Sequence, residues 1–579
     1  MSRRRRPNVR LEPPPPWRAR AVLAVFGVFA VVLGARAFDL QVLDRQFLVE
    51  EGTKRHVRTV DVPAGRGAIR DRRGEPLALS APTESVWAVP SAVLEAPERL
   101  SALAGRLETG VADLREKLNR HRDRQFLYLR RQLSPAQARH VMDLDMPGIF
   151  LQREYRRYYP AGEAAAQLVG LTDIDGRGQE GLELALDESL HGESGSRRVI
   201  KDRLGRVVED LAQFTPPQAG RDIRLTVDLR LQYLAYRELK AAVTQNEAKA
   251  GVVVMLDPAS GEVLAMASYP SFNPNSRSSI PTGGLRNRAV TDIFEPGSTI
   301  KPLMIARALD SGVFSTASTI DTEGGSFRVG RLTVRDFRDY GDVDFARLLA
   351  KSSNVGAAKV GLELGAEALW EAYRDFGLGD MTGIGFPGER YGVLRDFYQW
   401  GDIATATAAY GYGVSVTALQ LTRAYAAIAA DGRLHPLSLV ATDIDAAGPD
   451  LRERQVVDPA TARTVRDLLR GVVAPEGTAT RADVAGYDIA GKTGTVRKVD
   501  ADGYDHKRHQ ALFVGMAPAD EPRLVTLVMI DEPRDGDYYG GAVAAPVFAR
   551  IMRDALRTLR VPPSEPAMLT ADAGREEAS

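Results

Sequence analysis

Apolar residues fall into three regimes along the 579-residue chain. Near the start, Ala21–Ala35 (AVLAVFGVFAVVLGA) carries no charge. Fifteen helical residues span about 22 Å, short of the roughly 30 Å hydrocarbon core. Continued through Phe38 and Leu40 to Leu43, the helix is long enough, with Arg36 and Asp39 snorkelling or facing a partner helix. The pattern therefore predicts a transmembrane helix over 21–43. Residues 44–221 are mixed, charged and loop-rich. Helical spacing appears over Ser91–His121 and Pro135–Met142, and Gly65–Ser80 reads as strand, tight turn at Arg73-Gly74, strand. A glycine-rich stretch, Gly176–Gly181, precedes a helical run over Leu182–Leu190. From Asp222 the apolar patterning strengthens. It predicts a helix over Val227–Val243, two buried strands in Gly251–Ala267, helices near Ser298–Asp310 and Thr417–Asp431, a long hairpin over Gln510–Pro533 and an amphipathic helix over Ala545–Leu559. Strand pairs at both ends with helices between predict an α/β (α+β) domain over 222–562, with a central antiparallel sheet flanked by helices. The polar tail, 563–579, is expected to be disordered.

Charge sharpens the first of these regimes. Ahead of Ala21, seven arginines (Arg3, Arg4, Arg5, Arg6, Arg10, Arg18 and Arg20) face one acid, Glu12. The basic side of a span stays in the cytoplasm, which makes 1–20 a cytoplasmic tail and puts everything after residue 43 outside. A cleaved signal peptide is the competing reading, because Ala35-Arg36-Ala37 has the A-x-A form; an Arg inside the site and the continuing apolar pattern disfavour it. Over the whole chain Lys plus Arg and Asp plus Glu both number 76, a net charge of zero. That balance argues against a protein devoted to nucleic acid. The absence of cysteine excludes disulfides, a thiol nucleophile and Cys-ligated metals.

Three short motifs occur in a meaningful order. Ser298-Thr-Ile-Lys301 follows Pro296-Gly297, a turn into a helix, so Ser298 sits near a helix N-terminus where developing negative charge is favoured. Lys301 lies one turn on, on the same face. A serine hydroxyl needs a base to take its proton, and a lysine depressed by burial and neighbouring cations is one. Ser352-Ser353-Asn354 offers a hydroxyl to relay a proton and an amide to hold Lys301 or a substrate carbonyl. Lys492-Thr493-Gly494, followed by Thr495, reads as a strand. There the glycine leaves room for a substrate backbone alongside, Lys492 supplies positive potential, and the hydroxyls of Thr493 and Thr495 bind a carboxylate. The backbone N–H groups of Ser298 and Thr495 would form an oxyanion hole. Each motif alone is ordinary cap or surface chemistry, and Ser271-Phe-Asn273 is a decoy in the wrong order. Their conjunction, with a short interval from Ser298 to Ser352 and a longer one from Ser352 to Lys492, is the S-x-x-K, S-x-N, K-T-G set of β-lactamases and penicillin-binding proteins.

The sequence resembles the division-specific class B penicillin-binding proteins, peptidoglycan D,D-transpeptidases of the FtsI type, over nearly its whole length. Arg66–Ala78 (RGAIRDRRGEPLA), Arg157-Tyr-Tyr-Pro-Ala-Gly162 with Gly170, and Gly181-Leu-Glu183 match the family's non-catalytic motifs. Asn287–Ser298, Lys351–Gly356, Tyr410-Gly-Tyr-Gly413 and Tyr538-Tyr-Gly-Gly541 are close to the division branch. The resemblance implies a transpeptidase fold on a pedestal domain, 44–221, anchored by one span in the bacterial inner membrane with its catalytic domain periplasmic. It implies that Ser298 attacks the D-Ala-D-Ala bond of a stem peptide, with Lys301 as acylation base and Ser352 as proton relay. Asn354 would orient Lys301 and the substrate, and Lys492, Thr493 and Thr495 would hold the terminal carboxylate. β-Lactams would trap Ser298. A SEDS-type glycan polymerase and other divisome membrane proteins are the implied partners, and Arg36, too deep for lipid, is expected to pack against that polymerase. The middle triplet is S-S-N rather than S-D-N, and no deacylating glutamate is identifiable.

Competing readings share parts of this set. An elongation-specific transpeptidase has the same chemistry with another partner. A serine β-lactamase is disfavoured by the anchor and the long pre-catalytic region, a membrane β-lactam sensor by the single span, and a bifunctional enzyme by the absence of a glycosyltransferase motif set. A divisome scaffold with a dead site is disfavoured by the intact triad. No cofactor is called for: Gly65-Arg-Gly67 and Gly176-Arg-Gly178 lack the helix and acid of a dinucleotide site. His506 and His509 have helical i, i+3 spacing but read as a solvated loop at a hairpin tip, not as metal ligands.

Overall fold

The computed structural model describes residues 16–43, 45, 57–201, 207–276, 280–441, 453–500 and 503–564. The basic start as far as residue 15 and the polar tail from 565 on, both singled out from the sequence, lie outside the described residues.

The apolar N-terminal run is helical. Helix α1 (Pro16–Phe38) begins five residues earlier than the uncharged stretch, and a wider turn carries it through Asp39–Leu43. Its 28 residues are long and apolar enough to cross a membrane. Arg36 pairs with Asp39 one turn on, so the two charges in the apolar stretch neutralise each other locally.

The pedestal is built on one long strand. Strands β1 (Ile69–Arg70), β2 (Pro76–Ala88), β3 (Leu127–Leu133) and β4 (Ile149–Tyr158) form a sheet in which β2 pairs antiparallel with the other three. Strand β5 (Ile223–Arg224) then returns to run parallel to β1. The helical stretch expected over Ser91–His121 is interrupted. Pro90–Leu94, a tight turn at Pro97–Arg99, Leu100–Arg106 and Val111–Arg120 are separate pieces, broken where proline and glycine disfavour continuing a helix. They still bury Leu100, Leu103, Leu114 and Leu118 in one cluster with residues of β2 and β3. Pro135–Met142 forms as expected, with a Ser134–Gln137 capping box.

The turn between β1 and β2 does more than reverse the chain. Asp71 is fully buried; its Oδ1 accepts the N–H groups of Arg73 and Glu75, both at 2.8 Å. Its Oδ2 accepts the N–H of Leu229 at 3.0 Å, the first residue of helix α2 (Leu229–Gln245). One carboxylate thus ties the pedestal to the second half of the chain. Nearby, Glu183 has no exposed side-chain surface and accepts from Arg66 Nε and Arg157 Nε, each at 2.6 Å. Gly170, at φ +82°, lies so close to the Glu180 carbonyl that a Cβ there would sit 1.8 Å from its oxygen. These contacts explain why the arginine, glycine and glutamate motifs are spread so widely along the chain: they meet in one structural junction.

The second half contains the antiparallel sheet the pattern predicts. Strands β6 (Ala250–Leu256), β7 (Val263–Tyr269), β8 (Ala490–Asp500), β9 (Gly503–Ala517) and β10 (Leu524–Asp531) are ordered β7-β6-β10-β9-β8. Every residue of β6 and β10 is buried, so both faces of the sheet are covered. Helices α2 and α8 (Ala545–Thr558) pack together on one face; α6 (Ala418–Ala429) packs against β6 and β10 from the other. Between α2 and α6 the chain forms α3 (Lys301–Asp310), α4 (Phe345–Lys351) and α5 (Asn354–Leu364), and α7 (Pro459–Val473) follows α6.

One expectation is corrected. His506 and His509 are not in a loop: β8 and β9 continue as a ribbon past the other strands, with Arg497 opposite His509 and Val499 opposite Tyr504. The register jumps between Arg497 and Val499, so His506 lies in an irregular stretch between the paired residues Tyr504 and His509, and His509 stacks on Tyr538 at 4.1 Å.

Replacing Glu183 with alanine is expected to leave the buried Arg157 guanidinium without a carboxylate and Arg66 with Asp187 alone, at a cost of about 3–5 kcal/mol. Urea unfolding of the detergent-solubilised chain checks this. An unchanged unfolding midpoint would mean the junction is not held by that carboxylate.

Candidate active site

The nucleophile candidate sits on a tight entry to a helix. Gly297–Ile300 forms a turn that runs directly into α3, with Pro302 in the helix's first turn. Ser298 is half-buried, whereas Thr299 and Ile300 are fully buried. The turn is fastened from three sides. Thr299 Oγ1 donates to the Pro296 carbonyl at 2.7 Å, Tyr425 OH of α6 donates to the Thr299 carbonyl at 2.7 Å, and the Gly297 N–H donates to the Gly411 carbonyl at 3.1 Å. Gly411 has φ +89°, and a Cβ there would lie 2.1 Å from the Gly297 oxygen, so only glycine fits.

Lys301 is the first residue of α3 and has no exposed surface. Its Nζ donates to the Ser352 carbonyl at 2.7 Å, Ser352 Oγ at 3.3 Å and Asn354 Oδ1 at 2.8 Å. Burial pushes its pKa well down and the nearby Lys492 pushes it further, while Asp336 pulls it partly back. The structure thus brings the first motif onto the second.

The geometry of the second motif depends on an unusual backbone. Ser352 caps the C-terminus of α4 in the left-handed region, φ 57° and ψ 40°, a conformation that is costly for a non-glycine residue and persists only when its surroundings enforce it. The residues that follow it are held by Asp336. Its Oδ2 accepts from Ser353 Oγ at 2.5 Å, and its Oδ1 accepts the N–H groups of Asn354 at 2.5 Å and Val355 at 3.0 Å. Ser353 Oγ also accepts the Gly356 N–H at 2.9 Å, capping α5. Asp336 therefore caps the helix that presents Asn354. Sequence reasoning missed it, because an isolated aspartate upstream in a polar stretch carries no motif.

The third motif lies on β8. Lys492 has no exposed surface, and among the described residues no carboxylate pairs with it; its Nζ donates only to Thr493 O and Oγ1, both at 3.3 Å. Burial lowers its pKa to about 7. Thr478 and Thr493 share a hydrogen bond at 2.9 Å, and Thr495 Oγ1 accepts the Gly540 N–H at 3.0 Å. A Cβ on Gly494 would meet Thr299 Cγ2 at 2.9 Å and the Pro296 oxygen at 3.2 Å. The space freed by that glycine is thus taken by the nucleophile turn, not by a substrate strand as its position in the motif suggests. Of the residues singled out from the sequence, Lys301, one turn from Ser298, bonds Ser352 and Asn354, Lys492 acts on Lys301, and Gly494, on the strand that carries Lys492, Thr493 and Thr495, packs on the nucleophile turn. The decoy Ser271 instead donates to the Glu163 carbonyl at 2.7 Å and Gln167 at 2.9 Å, a structural role.

A serine at a helix start, one turn from a fully buried lysine, facing a buried uncompensated cation on a sheet-edge strand, defines a serine acyl-transfer enzyme. The comparisons with known proteins narrow that class. The family description "Penicillin binding protein transpeptidase domain" matches residues 251–553, and "Penicillin-binding Protein dimerisation domain" matches residues 61–225. The chain is 42% identical over 561 residues to the peptidoglycan D,D-transpeptidase FtsI of Escherichia coli, covering 96% of this chain and 94% of that protein. It is also 42% identical over 560 residues to a probable peptidoglycan D,D-transpeptidase, PenA, of Neisseria gonorrhoeae, covering 96% and 95%. The solved transpeptidase domain of Burkholderia pseudomallei penicillin-binding protein 3 matches with a TM-score of 0.54 at 42% identity, over 59% of this chain and 98% of that one. The chain belongs to the penicillin-binding protein transpeptidase family, in the branch that joins a dimerisation domain to a transpeptidase domain.

Substituting Asp336 with alanine strands the Ser353 hydroxyl and two helix-start N–H groups, each worth about 1–3 kcal/mol when left unsatisfied. Chemical unfolding is expected to show a loss of about 2 kcal/mol; a loss under about 0.5 kcal/mol would remove Asp336 from this role.

Proposed function

We propose that this protein is a division-specific peptidoglycan D,D-transpeptidase that cross-links stem peptides of the septal wall. The observation that carries the reading is the buried Lys301 side chain, bonded to Ser352 and Asn354 one helical turn from Ser298. The 42% identity to FtsI over almost the full chain supports the division role.

The chemistry follows from the groove. The stem peptide lies with its terminal carboxylate at Lys492, Thr493 and Thr495. Neutral Lys301 takes the proton of Ser298 as Oγ attacks the carbonyl of the penultimate D-Ala. The oxyanion that forms is held by the N–H groups of Ser298 and Thr495. When the peptide C–N bond breaks, Ser352 gives its proton to the departing amine and takes one from protonated Lys301, which returns to the neutral form as D-Ala leaves. An amine of a second stem then attacks the acyl carbonyl, Lys301 accepts its proton, the ester C–O bond breaks and Ser298 regains its hydrogen. Asn354 holds Lys301 and the substrate amide in place. A β-lactam enters the same groove, and because its ring-opened product stays attached, it blocks the second amine.

The same reading sets the protein's place in the cell. Residues 1–20 are a cytoplasmic tail, 21–43 span the inner membrane once, 44–221 form the periplasmic pedestal and 222–562 the transpeptidase domain. The span, with Arg36 paired to Asp39, faces the helices of a SEDS-type polymerase, and other divisome membrane proteins complete the assembly.

Intact-protein mass after incubation with benzylpenicillin tests the reading. Wild type is expected to gain one drug mass stable over an hour, and Ser298→Ala to gain none. An adduct that decays while hydrolysed drug accumulates would point to a lactamase, and no adduct on folded wild type to a non-catalytic scaffold.

A further inference from the structure

One carboxylate beside the nucleophile is not used by the chemistry above. Glu295 lies three residues before Ser298, and its Oε1 accepts two hydrogen bonds from distant chain segments. The Gly413 N–H donates at 2.7 Å and Tyr504 OH at 3.0 Å. Its other oxygen, Oε2, is shut off from solvent and accepts no hydrogen bond among the described residues. Burial pushes the carboxyl's pKa up, and the two hydrogen bonds oppose this. A buried acceptor left half-satisfied is costly, and such a group needs an explanation beyond stability.

The two donors come from separate elements beside the nucleophile turn. Gly413 closes the loop Tyr410–Gly413, whose Gly411 already bonds the nucleophile turn. Tyr504 lies on the part of β9 that extends with β8 beyond the rest of the sheet. Tyr412 packs edge-on against Tyr410 at 5.7 Å and Tyr504 at 5.5 Å, so the aromatic contact runs beside the hydrogen-bonded one. Strand β8 is buried from Ala490 to Gly494 and emerges at Thr495 and Arg497. With the peptide's carboxylate at Lys492, Thr493 and Thr495, as read above, the exposed continuation of β8 at Arg497 runs beside these tyrosines, Arg497 lying next to Tyr412.

We propose that Glu295 is a positioning residue for the upstream part of the donor stem peptide: by pinning Tyr504 and Gly413 to the nucleophile turn, it fixes the outer end of the groove. The proposal rests on the transpeptidase reading above. It assigns Glu295 no contact with the reacting bond. Its effect falls on ligands that reach past Thr495, and on their binding more than on bond formation.

The test uses full-length protein in detergent and two probes, 6-aminopenicillanic acid, which has no side chain, and piperacillin, which has a long one. Stopped-flow acylation separates the initial dissociation constant from the limiting acylation rate. For Tyr504→Phe and Glu295→Ala, the dissociation constant for piperacillin is expected to rise about tenfold more than that for the small probe, the size of one hydrogen bond to a charged group. The double variant should be no worse than Glu295→Ala alone, because the Glu295–Tyr504 hydrogen bond is lost in either single variant. Glu295→Gln, which keeps an acceptor for Gly413 and Tyr504, should recover most of the loss. Equal losses with both probes, additive losses in the double variant, or a loss confined to the acylation rate would overturn the proposal. Should Glu295→Ala fail to fold, Tyr504→Phe, altered by one rim hydroxyl, decides the question by the same comparison of probes. If wild type forms no adduct with either probe, the catalytic reading falls, and the proposal with it; if wild type reacts and all variants match it, only the proposal falls.

Discussion

Two lysine side chains with no exposed surface, Lys301 and Lys492, stand in the same site, and much of the local structure makes that arrangement tolerable. Burying an ammonium without a carboxylate partner is expensive, so the proton tends to leave instead. Lys301 is offered three neutral acceptors, and the carboxylate near it, Asp336, is engaged with Ser353 and the start of α5. Among the described residues Lys492 bonds only its neighbour Thr493. Each lysine raises the cost of charging the other. One can therefore stand as a base while the other awaits an anion, and the distinction comes from their surroundings alone.

The fold supplies this surrounding by bringing rigid elements together at their ends. The nucleophile turn is clamped between α6, through Tyr425, and β8, through the missing side chain of Gly494. The residues directly after the left-handed Ser352 are held from upstream, by Asp336. On the far side, the pedestal and the second half share Asp71 and the parallel pairing of β5 with β1. The three motifs are far apart along the chain because each sits where a separate element begins or ends.

What was legible in the sequence follows the same division. Contiguous patterns read well: the apolar run of α1, the helix at Leu229–Gln245, the buried strands around Asp257-Pro258 and the closing helix all leave a period on the chain. The S-x-x-K, S-S-N and K-T-G residues were legible as a set because their order and spacing are rare in combination. Local breaks were less so, as Pro97 and Gly110 in the pedestal helices show. His506 and His509 were misplaced because a charged ribbon protruding past its sheet has no buried face to impose alternation. Asp336 and Glu295 were invisible for a different reason. Each acts on residues remote in sequence through hydrogen bonds, which leave no periodic trace.

The catalytic chemistry turns on the protonation of the two buried lysines, and the pH dependence of the acylation rate constant kacyl/K for benzylpenicillin measures it directly. Protonating Lys301 removes the base, so the rate should fall toward acid with an apparent pKa well below the lysine value of 10.5. Deprotonating Lys492 removes the cation that attracts the drug's carboxylate, so the rate should also fall toward alkali, with the free enzyme's turning point near its value of about 7. The result is a bell whose two limbs belong to the coupled pair. A rate that keeps rising until an ordinary lysine range, with no alkaline limb below about pH 10, would contradict it.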